Sequence, residues 1–121
     1  MNTKLLGRWG EQTAADYLRK HGYRITAMGY SCRFGEIDLI AENKQYVVFA
    51  EVKLRRRGDY VRPMEYVTAV KQQRLIRTAM MWLTENETEK QPRFDVIEIC
   101  APDGPGGKTE LNHIEDAFRP E

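Results

Sequence analysis

Cysteine and histidine are scarce in this sequence: Cys32, Cys100, His21 and His113 are all that its 121 residues hold. No CxxC or HxxxH spacing occurs, which excludes the usual structural zinc frameworks. The two thiols read as reduced packing residues rather than a disulfide. His21 and His113, each alone, read as capping or surface residues. Long apolar runs are missing too, since no stretch approaches the ~20 residues needed to cross a bilayer. The apolar part of the N-terminus is only Leu5-Leu6. That is too short for a secretory core, so the expected location is the cytoplasm, with no membrane partner. A charge excess is also lacking: the net charge is +1, which alone says nothing for nucleic acid.

What is present suits one folded unit. The apolar share of 41% allows a compact core, and the length suits a single domain over residues 1–121. Charge is unevenly distributed. From Lys53 to Arg77 eight basic residues stand against Asp59 and Glu65, so that segment carries +6 and the remainder −5. Such a segment fits a phosphate-facing patch. A solvated charged face fits it equally well.

The pattern predicts an α-β-β-β-α-β order with one further short strand. A helix is expected from Lys4 to His21, with Thr3 as N-cap, Gly22 at its end and Ala14, Tyr17, Leu18 and His21 as its core face. Gly7 and Gly10 weaken its first turns, which would move the regular start toward Gly10. Tyr23 to Met28 reads as a strand, and residues 29–35 stay open between loop and strand. Glu36 to Ala41 and Tyr46 to Leu54 are strands joined by the polar turn 42–45. A second helix over Thr68 to Thr84 would bury Leu75, Ile76, Ala79, Met80 and Leu83. Arg93 to Cys100 is a strand and 102–107 a loop. A short strand follows at Leu111 to Ile114, with an amphipathic tail to Phe118. The expected architecture is α/β, a mixed β-sheet flanked by helices.

The chemistry concentrates on the hairpin. Side chains alternate along strands, so Val47, Phe49, Glu51 and Lys53 share one face. With Lys44 and Gln45 central in the turn, Asp38 falls opposite Glu51 and Glu36 opposite Lys53. Opposed Cβ atoms lie roughly 4.5–5.5 Å apart, and a register slip of one would separate the charges. Two such carboxylates at the end of a core strand are costly unless a cation sits between them. Magnesium takes hard oxygen ligands, binding through one or two carboxylates together with water and phosphate. Asp38 and Glu51 offer that set, the Val52 carbonyl adds a ligand, and Lys53 points to the same side. A Glu-x-Lys strand end is also a common solvated ion pair; Asp38 on the adjoining strand and the basic continuation at Arg55, Arg56 and Arg57 favour the metal site. Lys71 and Arg74, one helical turn apart, are candidate phosphate contacts or an exposed face. Tyr60, Tyr66 and Trp82 are candidate base-stacking residues or core. Asp95 and Glu98 lie on different strand faces and form no dyad.

These residues carry a resemblance. Gly-Glu-Ile-Asp-Leu-Ile-Ala at 35–41 and Val-Val-Phe-Ala-Glu-Val-Lys-Leu-Arg at 47–55 closely resemble the YraN-like family of small bacterial proteins. These are related to archaeal Holliday junction resolvases within the PD-(D/E)XK nuclease superfamily. The likeness extends over nearly the whole chain, through residues 7–18, 71–83, Arg93-Phe94-Asp95-Val96 and Ala117-Phe118. It implies a restriction endonuclease-like fold, Asp38 and Glu51 as metal ligands and Lys53 as the catalytic lysine. Glu11 matches a helix-borne acid near the metal, though the residue alone reads as a helix N-terminal charge. Glu36 is either a supporting residue behind the site or a partner for Lys53. Ile37 replaces the signature proline, a position that supplies no ligand. Gly29 and Ser31 stand where relatives often carry Asn and Arg. The function implied is a nucleic-acid-binding, Mg2+-dependent endonuclease (Mn2+ as substitute) that hydrolyses branched or structured DNA, possible as a homodimer. The alternative is a non-catalytic nucleic-acid-binding protein that retains the nuclease fold; a structural adaptor is the third.

Overall fold

The computed structural model describes residues 3–55 and 67–120. The elements are α1 (Thr3–Lys20), β1 (Arg24–Cys32), β2 (Gly35–Glu42), β3 (Tyr46–Arg55), α2 (Ala69–Glu85), β4 (Gln91–Cys100) and β5 (Glu110–Phe118). The five strands form one sheet in the order β1-β2-β3-β4-β5. β3 and β4 run parallel across the α2 crossover, and the other neighbours are antiparallel. This is the expected α/β architecture, a restriction endonuclease-like fold with a mixed sheet between two helices.

Each face of the sheet has its own apolar cluster. Ala14, Ala15 and Leu18 of α1 pack on Leu39, Ala41, Val48, Ala50, Ile97 and Ile99. Leu75, Ala79 and Trp82 of α2 cover Ile37, Ile40, Val47, Phe49, Phe94 and Val96 on the other face. Burying such side chains is worth about 1.5–3 kcal/mol each. Trp82 meets the Phe49 ring edge-on at 5.8 Å, so it is core and not a base-stacking platform. Met80, expected in the buried stripe, is 56% exposed. The stripe turns instead through Leu75, Thr78, Ala79 and Trp82, the i, i+3, i+4, i+7 face of one helix.

Several boundaries differ from expectation. α1 is already helical at Thr3, so Thr3 lies inside the helix rather than capping it. Gly10 does not delay the helix. It is buried, and a Cβ there would lie 2.9 Å from Leu54 Cδ2; the missing side chain lets α1 approach β3. His21 is exposed and off the core face, its ring 4.3 Å from that of Tyr17. Gly22 ends α1 with φ 87°. The Tyr23 amide donates to the Leu18 carbonyl at 3.0 Å and the Gly22 amide to Arg19 at 3.2 Å, a Schellman closure.

The open stretch 29–35 is the end of β1, a turn and the start of β2. β5 reaches Phe118, and its register shifts opposite Phe94–Val96, where Asp116 has φ 54°. The turn before β3 forms as expected: Asn43 Oδ1 accepts from the amides of Gln45 at 2.9 Å and Tyr46 at 2.7 Å. It sets Leu39 opposite Ala50 and Glu42 opposite Val47.

Candidate active site

The hairpin ladder ends where the acids begin. β2 and β3 pair from Glu42/Val47 to Leu39/Ala50. The predicted next pair, Asp38 with Glu51, does not continue it, nor does Glu36 with Lys53. Instead Asp38 Oδ2 accepts the Val52 amide at 2.8 Å, so a carboxylate takes the donor. β3 itself stays fixed by its parallel ladder with β4, with Glu51 beside Val96 and Lys53 beside Glu98. The site therefore sits on a braced strand next to a strand that turns away.

β1 and β2 contribute to that turn. Ala27 and Tyr30 both pack toward the α2-side cluster, as do Ile37 and Ile40 opposite them. Strict alternation would send residues three apart to opposite faces. Gly29, with φ 72°, lies between the first pair and Asp38 between the second. Both strands thus change face there, β1 through the left-handed backbone of Gly29, which glycine adopts without steric cost.

A cleft of about 570 Å³ opens at this point, lined among others by Glu36, Asp38, Glu51, Lys71 and Arg74. Glu51 is 7% exposed. Its Oε1 accepts from Lys71 Nζ at 2.7 Å, and Lys53 Nζ stands 3.3 Å from the same oxygen. Burial and the Glu51 charge push the Asp38 carboxyl up to about 7, despite the Val52 hydrogen bond. Burial, with the fields of Glu36 and Glu51, raises the Glu11 carboxyl, so α1 delivers that acid to the same electrostatic neighbourhood. Burial lowers Lys53, and the hydrogen bond with Lys71 adds to this. For Lys71 burial works the same way, but hydrogen bonds to Glu51 and Lys53 outweigh it and raise the ammonium.

Among the described residues no three His, Cys, Asp or Glu side chains form a metal-ligating group. A divalent ion here would rely on Asp38 and Glu51, with backbone, water or phosphate completing its shell, as magnesium sites commonly do. The donor set fits that ion. Both acids are hard oxygen ligands, and the Asp38 carboxyl, raised by burial and by the Glu51 charge, would be drawn back to its ionised form by a cation between them.

The cleft unites Asp38, Glu51, Glu36, Lys71 and Arg74, with Lys53 beside Glu51 and Glu11 at electrostatic range. Lys53 bridges to Glu51 rather than to Glu36. Val52 takes part through its amide on Asp38. Arg55 lies outside the cleft lining, its side chain 8% exposed and its Nη1 3.1 Å from Glu98 Oε1. Arg56, Arg57, Tyr60 and Tyr66 lie outside the described residues. The Lys71–Glu51 bond was missed in the sequence, although a signal existed. Lys71 is the third residue after the N-cap Thr68, where a capping box carries Glu or Gln and the helix dipole disfavours a cation.

A second polar cluster lies away from the cleft and also corrects the sequence reading. Asp95, 1% exposed, accepts from Arg93 Nε at 2.9 Å and Nη2 at 2.8 Å and from the Asp116 amide at 3.0 Å. Its Oδ2 is 2.7 Å from His113 Nε2, and His113 Nδ1 is 3.0 Å from the Tyr17 hydroxyl. His113 is thus a buried link between β5, β4 and α1, and Asp95 seals the β5 bulge at Asp116. No described helix is long and apolar enough to cross a membrane.

Comparison with known proteins identifies the relatives of this chain. Residues 10–99 match the Uncharacterised protein family UPF0102. A UPF0102 protein of Symbiobacterium thermophilum is 45% identical over 117 residues, covering 96% of this chain and 98% of the relative. Others are 41% identical in Caldicellulosiruptor bescii, covering 98% and 100%, and 40% identical in Caldanaerobacter subterraneus subsp. tengcongensis, covering 98% of each. The names of these relatives state the family and no activity.

Proposed function

The chain belongs to the UPF0102, or YraN-like, family, and from that premise we propose that it is a metal-dependent endonuclease acting on branched or structured DNA in the cytoplasm. One observation carries the reading: Asp38 and Glu51 flank the end of the β2–β3 ladder, with Lys53 3.3 Å from Glu51. Two carboxylates on divergent strands and a lysine two residues on suit phosphodiester hydrolysis.

Asp38 and Glu51 would hold magnesium, or manganese in its place. The ion would supply Lewis-acid charge at the attacked phosphate. Lys53 orients the attacking water and steadies negative charge building on the phosphate oxygens. Glu11 and Glu36 keep the surrounding field negative and favour a cation. Arg74, exposed at the cleft wall, contacts the flanking backbone, which positions DNA without reading its sequence. Two copies acting together would present two such sites to a junction.

The test is incubation of the protein with linear, flapped and four-way DNA in magnesium or manganese. The expected result is metal-dependent cleavage that disappears in Asp38→Ala, Glu51→Ala and Lys53→Ala. Cleavage surviving in all three removes the assignment. A second reading, DNA binding without hydrolysis, is favoured by the two lysines already neutralising Glu51. It predicts salt-sensitive binding and intact DNA with either metal.

A further inference from the structure

We propose that Lys71 is a built-in counter-cation that occupies the metal position at Glu51 and is displaced from it when a divalent ion and a DNA phosphate enter together. The inference rests on the metal-site reading above and deepens it, by assigning a control over when that site loads.

The geometry is specific. Both ammonium groups converge on the same oxygen, Glu51 Oε1, with Lys71 at 2.7 Å and Lys53 at 3.3 Å. Lys71 donates a hydrogen bond to that oxygen and Lys53 stands as an ion pair beside it, so the two ammonium groups crowd its open side. A divalent ion using that oxygen must move one ammonium away. Lys71 is the one placed to leave. It is the more exposed, at 38% against 25% for Lys53. It reaches Glu51 from α2, across the cleft, whereas Lys53 is tied to the same strand as its partner.

The position of Lys71 on its helix supports the same conclusion. It lies in the first turn of α2, where its own amide donates to Thr68 Oγ1 at 3.2 Å, and that turn contains no acid. A cation there opposes the helix dipole and does nothing for the helix. Once released from Glu51, the ammonium remains at the cleft mouth with Arg74 one turn away, beside a helix end that favours anions. A phosphate then supplies the partner that Glu51 gave up. Metal and DNA should each tighten the other's binding, since each removes part of what opposes the other.

The experiment measures Mn2+ binding directly, by electron paramagnetic resonance of free Mn2+. It compares wild type with Lys71→Met and Lys71→Arg, with and without an uncleavable phosphorothioate duplex. Without DNA, Lys71→Met should bind Mn2+ about tenfold tighter than wild type, the weight of one charge-assisted hydrogen bond no longer in competition. Lys71→Arg should bind no tighter. DNA should tighten Mn2+ binding by wild type and barely change that of Lys71→Met. Equal or weaker Mn2+ binding by Lys71→Met overturns the inference while leaving the metal site standing. Failure of wild type and both variants to bind Mn2+ overturns both.

Discussion

Replacing Asp38 with asparagine should stabilise the metal-free protein, and increasingly so as pH rises. Burial and Glu51 hold the Asp38 carboxyl near 7 in the native state, against about 3.9 in an unfolded chain. Between those values the native state keeps a proton that the unfolded chain has released. Stability is therefore lost as pH climbs through that window and stays low above it. The separation from about 3.9 to about 7 corresponds to a ceiling of about 4 kcal/mol at pH 8. Asp38 is half-buried at a cleft wall, and screening there reduces the expected effect to about 2 kcal/mol. Asparagine has nearly the same shape and keeps an oxygen to accept the Val52 amide, so the packing is unchanged. Thermal melts in chelator at pH 5 and pH 8 should show the variant melting higher at both. The advantage should be larger at pH 8 by about 1 kcal/mol, or roughly 4 °C. Saturating manganese should reverse the order, because only wild type gains from the ion. A variant advantage that does not change with pH, or a wild type that is the more stable at pH 8 without metal, refutes the electrostatic picture of the cleft.

Two further outcomes follow from other parts of the fold. Asp95→Ala should cost about 3–5 kcal/mol in urea denaturation, because it strands the buried Arg93 guanidinium. Burial alone would raise the Asp95 carboxyl, but hydrogen bonds from His113, Arg93 and the Asp116 amide hold it below the usual range. Its stabilisation is complete above about pH 4 and lost as pH falls through the depressed native value, so a flat acid limb in the wild-type titration would count against this role. Gly29→Ala should destabilise by about 1 kcal/mol through its left-handed backbone, with Gly29→Asn recovering much of that; equal losses would mean that φ is not the cause.

The order of elements and the hairpin register from Glu42/Val47 to Leu39/Ala50 were legible because local chemistry sets them. Asn43 closes the turn before β3, and alternating apolar residues separate the two faces. Residues 29–35 were not legible, since the face change at Gly29 and Asp38 depends on two strands at once. Arg55 resembled the run it begins, yet its Glu98 partner is reached only through the parallel β3–β4 pairing. Lys71 needs the α2 crossover to meet Glu51, twenty residues away. The partners of Asp95, His113 and the Asp116 amide, come from a strand whose bulge leaves no mark in composition. Asp38, Glu51 and Lys53 could be read early because one hairpin carries all three.

The most direct measurement is the anomalous scattering of manganese in crystals grown with the ion and a short DNA. A peak roughly 2.1 Å from a carboxylate oxygen of both Asp38 and Glu51, with Lys71 drawn off Glu51, is the expected result. A map with no peak between those side chains, and Lys71 still seated on Glu51 beside bound DNA, would contradict it.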